Sequence, residues 1–426
     1  MKILTGEQYN AELEYSSTTS RNNEELDRTV LNIIEEVREK GDAALKEFTA
    51  KFDNVMLDDL LVSEEEIIEA RTLVNGDFIR AIKKAHKNIK AFHEEQTEKS
   101  WFTTKESGIL LGQKITPLAS VGIYVPGGKA TYPSTVLMNA IPAKIAGVKK
   151  IAVTTPAGKD GKINPHVLVA AAEVGIKTIY KVGGAQAIAA LAYGTETVQK
   201  VAKIVGPGNA YVARAKKWVF GDVAIDMIAG PSEICVVADE TAVPRFVAAD
   251  LLSQAEHDEQ ATAVCITTSQ SFTEELCEEV KKQTAILERK TIIEESIAEN
   301  GRIVLVDSLN EAFDLVNKLA PEHLQLMVAN PMEQMQFIDN AGAIFLGNHS
   351  PEALGDYIAG PNHTLPTSGT STFSSPLGVY DFIKRSSIIH YSEKALLDVA
   401  DDIITLANAE GLSAHANSIA IRKADK

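Results

Sequence analysis

The chain has 426 residues, 45% of them hydrophobic and 23% charged, so it is long enough for two or more domains with cores of their own. Its formal net charge of -16 and pI near 5.1 disfavour nucleic acid and anionic membranes as partners. Cys235, Cys265 and Cys277 are too few and too scattered for a disulfide framework. The start lacks the apolar core of a signal peptide, and no run reaches the roughly 18 apolar residues of a membrane helix. The expectation is a reducing cytoplasm, with Cys235 and Cys265 as buried thiols in strand-like runs.

The first hundred residues read as charged helices. Asn23–Lys40, Ala44–Phe52 and Glu64–Glu98 all place apolar residues at three- and four-residue spacing. From about Leu110 the texture changes to short apolar strands, glycine turns and alanine-rich helices. Strand Ser120–Val125, turn Pro126-Gly127-Gly128 and helix Ser134–Ala146 come first. Strand Lys150–Thr154 and helix His166–Val174 follow, then strand Thr178–Val182, turn Gly183-Gly184 and helix Gln186–Ala192. Strand Lys203–Val205, turn Gly206-Pro207-Gly208-Asn209 and helix Ala210–Trp218 complete the run.

The rhythm resumes with strand Glu233–Ala238, helix Pro244–His257, strand Ala261–Thr267 and helix Phe272–Arg289. Gly301–Val306, Leu324–Val328 and Ala343–Leu346 read as further strands. Strands alternating with helices predict doubly wound parallel sheets. Gly347–Ser375 reads as a long polar loop of the kind that often carries function. A last helix, Glu393–Ala409, breaks at Gly411 and restarts behind Ser413 as N-cap.

Of nine histidines, His86, His93, His166, His349 and His390 have no ligand-type neighbour at metal spacing. Gln254 and His257 lie three apart on a predicted helix, so one face offers a carbonyl oxygen and an imidazole nitrogen to a cation, or simply to solvent. Asp356 and His363 share a segment bent by Gly355, Gly360 and Pro361; an Asx-turn with a surface histidine is the bland alternative. Glu410 and His415 flank the start of the last helix, where a capped first turn would also suffice. Glu322 and His323 are adjacent in Ala-Pro-Glu-His-Leu, with Pro321 suited to open a helical turn; the pair can move protons near neutral pH or be a polar turn before a strand. The glycine turns follow strands and precede helices, a setting that holds phosphate at a helix N-terminus, but none fits Gly-x-Gly-x-x-Gly.

Together these segments resemble the histidinol dehydrogenase family. The resemblance is carried by Val-Gly-Gly-Ala-Gln-Ala-Ile-Ala-Ala-Leu-Ala-Tyr-Gly-Thr from Val182, Gly-Pro-Gly-Asn from Gly206 and Ala-Gly-Pro-Ser-Glu from Ala229. It continues with Asp-Leu-Leu-Ser-Gln-Ala-Glu-His from Asp250, Ala-Pro-Glu-His-Leu from Ala320, Gly-Asp-Tyr from Gly355, Asn-His-Thr-Leu-Pro-Thr from Asn362 and Ser-Ala-His from Ser413. These stand in the family's order over nearly the whole chain.

The resemblance implies a zinc- and NAD-dependent oxidation of L-histidinol to L-histidine through the aldehyde. It implies Gln254, His257, Asp356 and His415 as ligands of one zinc per subunit, Glu322 and His323 as the proton-transfer pair, and Ser232, His363 and Glu410 as substrate contacts beside the metal ligands and His323. Tyr124, Gln186 and Asn209 are implied as NAD contacts. His323 would take the hydroxyl proton and Glu322 would activate water. Thr364 stands where valine is common in the family, a departure that touches no role.

The implied fold is α/β, two Rossmann-like doubly wound domains with mainly parallel sheets and small helical terminal extensions used in dimerisation. The expected boundaries are an extension 1–20, a catalytic domain 21–123 with 234–377, an NAD domain 124–233, and a tail 378–426 crossing to the partner of a homodimer. The tail would bring Glu410 and His415 to the partner's site. A related zinc/NAD dehydrogenase of another small polar alcohol, a non-catalytic paralogue and a zinc hydrolase are the alternatives; the intact Glu322 and His323 speak against the paralogue.

Overall fold

Fourteen strands alternate with helices in this computed structural model, which describes residues 1–18, 24–105, 108–127 and 131–424. In chain order, β1 (Lys2–Thr5) opens the chain, and β2 (Trp101–Lys105) and β3 (Ile109–Pro117) follow a helical stretch. β4 (Ser120–Tyr124), β5 (Lys150–Thr154), β6 (Thr178–Tyr180), β7 (Lys203–Val205) and β8 (Ala224–Ile225) come next. β9 (Glu233–Ala238), β10 (Thr262–Thr267), β11 (Gly301–Leu305), β12 (His323–Met327), β13 (Ala343–Leu346) and β14 (Ile383–Tyr391) complete the set.

The chain divides into two compact units. The larger, Met1–Gln96 with Ala119–Asp381, holds two parallel sheets, of order β6-β5-β4-β7-β8 and β1-β11-β10-β9-β12-β13. Their central strands are near-continuous apolar runs because helices cover both faces, as parallel sheets require. Ile234 to Ala238 of β9, for instance, are all buried. One apolar cluster fills the space beside β4 and the helix Gly184–Tyr193; the helices Glu24–Lys40 and Asp42–Phe52 contribute Val30, Ile33, Leu45 and Phe48 to it. Two more clusters cover the faces of the six-stranded sheet, one with Leu251, Leu276 and Ile293, the other with Phe313, Val316 and Leu324.

The smaller unit, Thr97–Leu118 with Phe382–Lys426, is the antiparallel sheet β14-β3-β2 and the helices Glu393–Ala409 and Ser413–Ala424.

The doubly wound parallel sheets match expectation, and several details differ. The expected helix Glu64–Glu98 is two, Glu64–Leu73 and Gly76–Glu94, because Asn75 caps the second by accepting from Phe78 N at 2.7 Å. The expected helix Phe272–Arg289 ends at Thr284, and a second one, Lys290–Asn300, leads into β11. The N-terminal extension is not only helical, since β1 pairs with β11 at the edge of the six-stranded sheet. The C-terminal tail likewise carries β14, paired with β3 over nine residues. Ser413 is the first residue of its helix, one place inside the cap position assigned from sequence. Asn23 and Gly128 lie outside the described residues.

Candidate active site

Two edges of the larger unit bring chemistry together. The five-stranded sheet reverses its strand order between β4 and β7, and dinucleotides bind at such a switch point outside the carboxyl ends of the strands. Tyr124 ends β4, and its hydroxyl accepts from Gly184 N at 3.1 Å; burial pushes the phenol up to about 12. Gly184 has φ +65°, and a Cβ there would meet Gln186 Oε1 at 2.6 Å, which places the buried Gln186 directly behind the turn. Gly206, after β7, has φ +110°; its Cβ would lie 2.2 Å from the Tyr124 carbonyl oxygen, so no other residue fits there. Asn209 is exposed and caps the helix Ala210–Val219 by accepting from Val212 N at 3.1 Å.

A buried ion pair braces this turn from behind. Lys216 pairs with Asp226, their side chains 2% and 1% exposed. Lys216 Nζ also donates to Gly206 O at 2.9 Å, and Asp226 Oδ2 accepts from Gly206 N at 2.8 Å. Both backbone polar groups of Gly206 are therefore held by one pair of opposite charges.

The second edge is the amino end of the six-stranded sheet, where β9 and β12 begin side by side. Before β12 the helix Leu309–Leu319 ends on Ala320 in the left-handed conformation, φ +49°. Pro321 then leads straight into the strand; it does not open the helical turn expected of it. Glu322, just before the strand, and His323, its first residue, are thus delivered side by side, both buried. Glu322 Oε2 accepts from Glu233 N at 2.9 Å and lies 3.6 Å from His323 Nδ1. Burial first, then the negative charges of Glu233 and Asp356, raises the Glu322 carboxyl well above the ordinary range, against the pull of that backbone bond.

His323 Nδ1 lies 3.0 Å from the Glu233 carbonyl oxygen, which can only accept, so Nδ1 carries the proton and Nε2 the lone pair. Among the described residues Nε2 is buried without a hydrogen-bond partner, and Asp356 Oδ1 lies 3.9 Å from it. Burial lowers the imidazole's pKa, partly offset by Asp356, which favours the neutral, proton-accepting ring.

Asp356 sits in the π-helical turn Gly355–Ala359, and its carbonyl oxygen lies 3.1 Å from His363 Nδ1. The other His363 nitrogen is 3.3 Å from Thr135 Oγ1, in the first turn of the helix Pro133–Ile145 that follows β4. Asn139 and Asn362 add bonds between the same helix and loop. This joins the edge bearing Glu322 and His323 to the edge bearing Tyr124. Burial lowers the His363 pKa as well.

Gln254 and His257 are not both on a helix, as their spacing had suggested. The helix Pro244–Ala255 closes with Glu256 as its cap, and His257 N bonds to Gln254 O at 3.2 Å in a tightened last turn. Ligand atoms of His257, Glu352 and Asp356 lie within 4.8 Å of one another, a spacing at which a cation can be held. Glu352 was not singled out from sequence. It opens the short helix Glu352–Leu354 inside the segment expected to be loop, one turn before Asp356, and is 2% exposed.

Gln254 is fully buried, and its amide is satisfied in the orientation that turns Nε2 to the Glu352 oxygens, at 3.0 and 3.3 Å. Nε2 then also lies 3.1 Å from His323 Nδ1, which can accept only in the tautomer that gives up Glu233. The carboxylate is the stronger acceptor, and the Glu233 bond fixes the ring.

Ser232, half-buried, precedes Glu233 at the same edge and bonds through its carbonyl to Thr262 N. Glu410 and His415 belong to the smaller unit, Glu410 capping the helix Glu393–Ala409 and His415 in the first turn of Ser413–Ala424, both exposed. The structure thus assembles Gln254, His257, Glu322, His323, Asp356 and His363 in one chain. Besides Glu352, the contributions of Glu233, Thr135 and the Lys216–Asp226 pair escaped sequence reasoning; an acid one helical turn before Asp356 was the one available hint.

A switch-point glycine turn in one parallel sheet and a buried acid–base pair at the edge of the other define an α/β oxidoreductase. A profile of histidinol dehydrogenase matches residues 16–423. The chain is 57% identical over 423 residues to a histidinol dehydrogenase of Oceanobacillus iheyensis, covering 99% of each. It is 55% identical over 400 residues to that of Bacillus subtilis, covering 94% of each. The crystal structure of histidinol dehydrogenase from Elizabethkingia anophelis superposes with a TM-score of 0.93 at 40% identity, covering 99% of this chain and 97% of that one. The chain belongs to the histidinol dehydrogenase family. Among the described residues no helix is long and apolar enough to cross a membrane.

Proposed function

We propose that the chain oxidises L-histidinol to L-histidine through the aldehyde, with NAD as hydride acceptor in both steps and zinc held by Gln254, His257, Asp356 and the partner subunit's His415. The observation that carries the reading is His323: its Nδ1 is engaged by Glu233 O, while Nε2 is buried, unpartnered among the described residues and 3.9 Å from Asp356 in the cluster with His257. The donor set suits zinc, since two imidazoles, an amide oxygen and one carboxylate leave a net positive centre. Bound there, zinc supplies a positive charge that orients the substrate's nitrogens, and NAD at the β4–β7 switch takes the electrons as hydride.

In the first step His323 Nε2 takes the hydroxyl proton as hydride leaves the same carbon. In the second, Glu322 takes a proton from water, whose oxygen adds to the aldehyde carbon before the next hydride leaves. A carboxyl raised by burial is a strong acceptor once ionised, which suits this role. His363, held between Asp356 and Thr135, and Ser232 at the head of β9 line the same edge as substrate contacts. Tyr124, Gln186 and Asn209 border the nucleotide turn.

A homodimer with crossed tails follows from placing His415 and Glu410 in the partner's site. The smaller unit's exposed Ile389, Leu406, Leu412 and Ile421 support a covering second copy. Free, buried Cys235 and Cys265 agree with a reducing cytoplasm.

The test is an absorbance assay with histidinol and NAD, run with and without a chelator, and repeated with other small polar alcohols. Two NADH per histidinol, lost on chelation and restored by zinc, is the expected result. Equal turnover of simple diols, or chelator-resistant activity, would sink the assignment.

A further inference from the structure

We infer that Glu352 is a positioning residue of the metal site: its carboxylate takes the Gln254 amide nitrogen and so turns Gln254 Oε1 toward the cation. The inference rests on the zinc reading above.

A glutamine amide has one accepting edge and one donating edge, and a buried side chain cannot borrow water to satisfy the wrong one. Gln254 is 0% exposed and Glu352 2%, so the two are each other's environment. With Nε2 at 3.0 and 3.3 Å from the Glu352 oxygens, the donating edge is spent on the carboxylate. The oxygen is left on the opposite edge with its lone pairs free. Without Glu352 the amide would have no reason to choose that face, and half its rotations would present N–H groups to a cation.

Glu352 is itself anchored. Its backbone N donates to Gln325 Oε1 at 2.9 Å, and Gln325 Nε2 donates to Asp250 Oδ2 at 3.0 Å, in the orientation that satisfies Gln325. Gln325 lies on β12 and Asp250 on the same helix as Gln254. The loop bearing Asp356 is thereby tied to the strand bearing His323 and to the helix bearing Gln254. Groups of this kind, one bond behind a ligand, set metal affinity by orienting it.

The rival role is that Glu352 is itself a ligand, since its carboxylate lies within 4.8 Å of the His257 and Asp356 ligand atoms. The full-length chain and the variants Glu352→Gln, Glu352→Ala, Gln254→Ala and Gln254→Ala/Glu352→Ala distinguish the two. Zinc affinity is read by competition with a chromophoric chelator, and coordination by the visible spectrum of the cobalt(II)-loaded chain.

Glu352→Ala should weaken zinc by roughly 10–100-fold. Glu352→Gln can still accept from Gln254 through its own amide oxygen, so it should recover most of that loss with the cobalt spectrum unchanged. The double variant should bind no worse than Gln254→Ala. Equal loss in Glu352→Gln and Glu352→Ala, with an altered cobalt spectrum, would make Glu352 a ligand and overturn the inference, as would additive losses or wild-type affinity in all variants. If Glu352→Ala fails to fold, the same cycle is run with Glu352→Gln against Gln254→Ala. Failure of the wild-type chain to bind zinc would instead overturn the metal reading itself.

Discussion

Replacing Lys216 by methionine tests how the nucleotide turn is held. Methionine fills most of the lysine's volume, so packing is nearly conserved and the change is one of charge. It leaves the Asp226 carboxylate, 1% exposed, with the backbone N–H groups of Gly206 and Met227, at 2.8 and 2.7 Å, to offset it among the described residues. Gly206 O loses its donor as well. Breaking a buried pair from one side costs about 3–5 kcal/mol, which for a chain of this size lowers Tm on the order of 3–6 °C.

The chain has two tryptophans, so Trp101→Phe leaves Trp218, two residues from Lys216 on the same helix, as a local reporter. In that background Lys216→Met should show the full loss by fluorescence melting and a KM for NAD raised much more than that for histidinol. Lys216→Met/Asp226→Asn should recover most of the stability, since asparagine still accepts from Gly206 N without a charge. A double variant as unstable as the single one would refute the reasoning, because the loss would then lie in packing and not in an orphaned carboxylate.

His323→Asn should lose most alcohol oxidation while keeping zinc, and near-normal turnover would remove Nε2 from its role. Glu322→Gln should slow histidinal oxidation more than histidinol oxidation in separate assays; equal slowing would count against the division of labour. Gly206→Ala, which forces a Cβ to 2.2 Å from a carbonyl oxygen at positive φ, should abolish NAD binding by calorimetry or prevent folding, and a soluble variant with wild-type NAD affinity would contradict the geometry. Burial pushes Asp250 up to about 6 from an unfolded value of 3.8. The folded chain therefore holds that proton better than the unfolded one, a stabilisation complete below about 3.8 and lost as pH rises through 6. Asp250→Asn, measured without metal, should raise Tm about twice as much at pH 8 as at pH 5; an equal shift at both would exclude charge as the cause.

The parallel sheets were legible because buried strands such as Glu233–Ala238 are uninterrupted apolar runs whose length differs from that of the helices between them. β1, β2, β3 and β14 were not. β1 has only four residues and depends on β11, and β14 mixes Lys384, Arg385, Ser386 and Ser387 with apolar residues because much of it is exposed. The acid–base pair was visible as two adjacent residue types; the roles of their nitrogens and oxygens were not, since these depend on the Glu233 backbone in a neighbouring strand. Glu352 stayed hidden because its place one turn before Asp356 does not by itself mark an acid that will be buried. Its side-chain partner Gln254 lies about a hundred residues away in sequence, on a helix whose last turn tightens so that His257 leaves the axis.

The pairing of β1 with β11 joins Lys2 to Arg302. During synthesis at about 5–20 residues per second, the first strand waits on the order of 15–60 s for its neighbour to be made. The five-stranded sheet, complete by Ile225, has emerged whole by then. Closure of the six-stranded sheet is thus a late event on the ribosome, and a chain stalled before Leu305 would carry all strands of the five-stranded sheet beside an unpaired strand edge. Such an intermediate is a natural client for a chaperone.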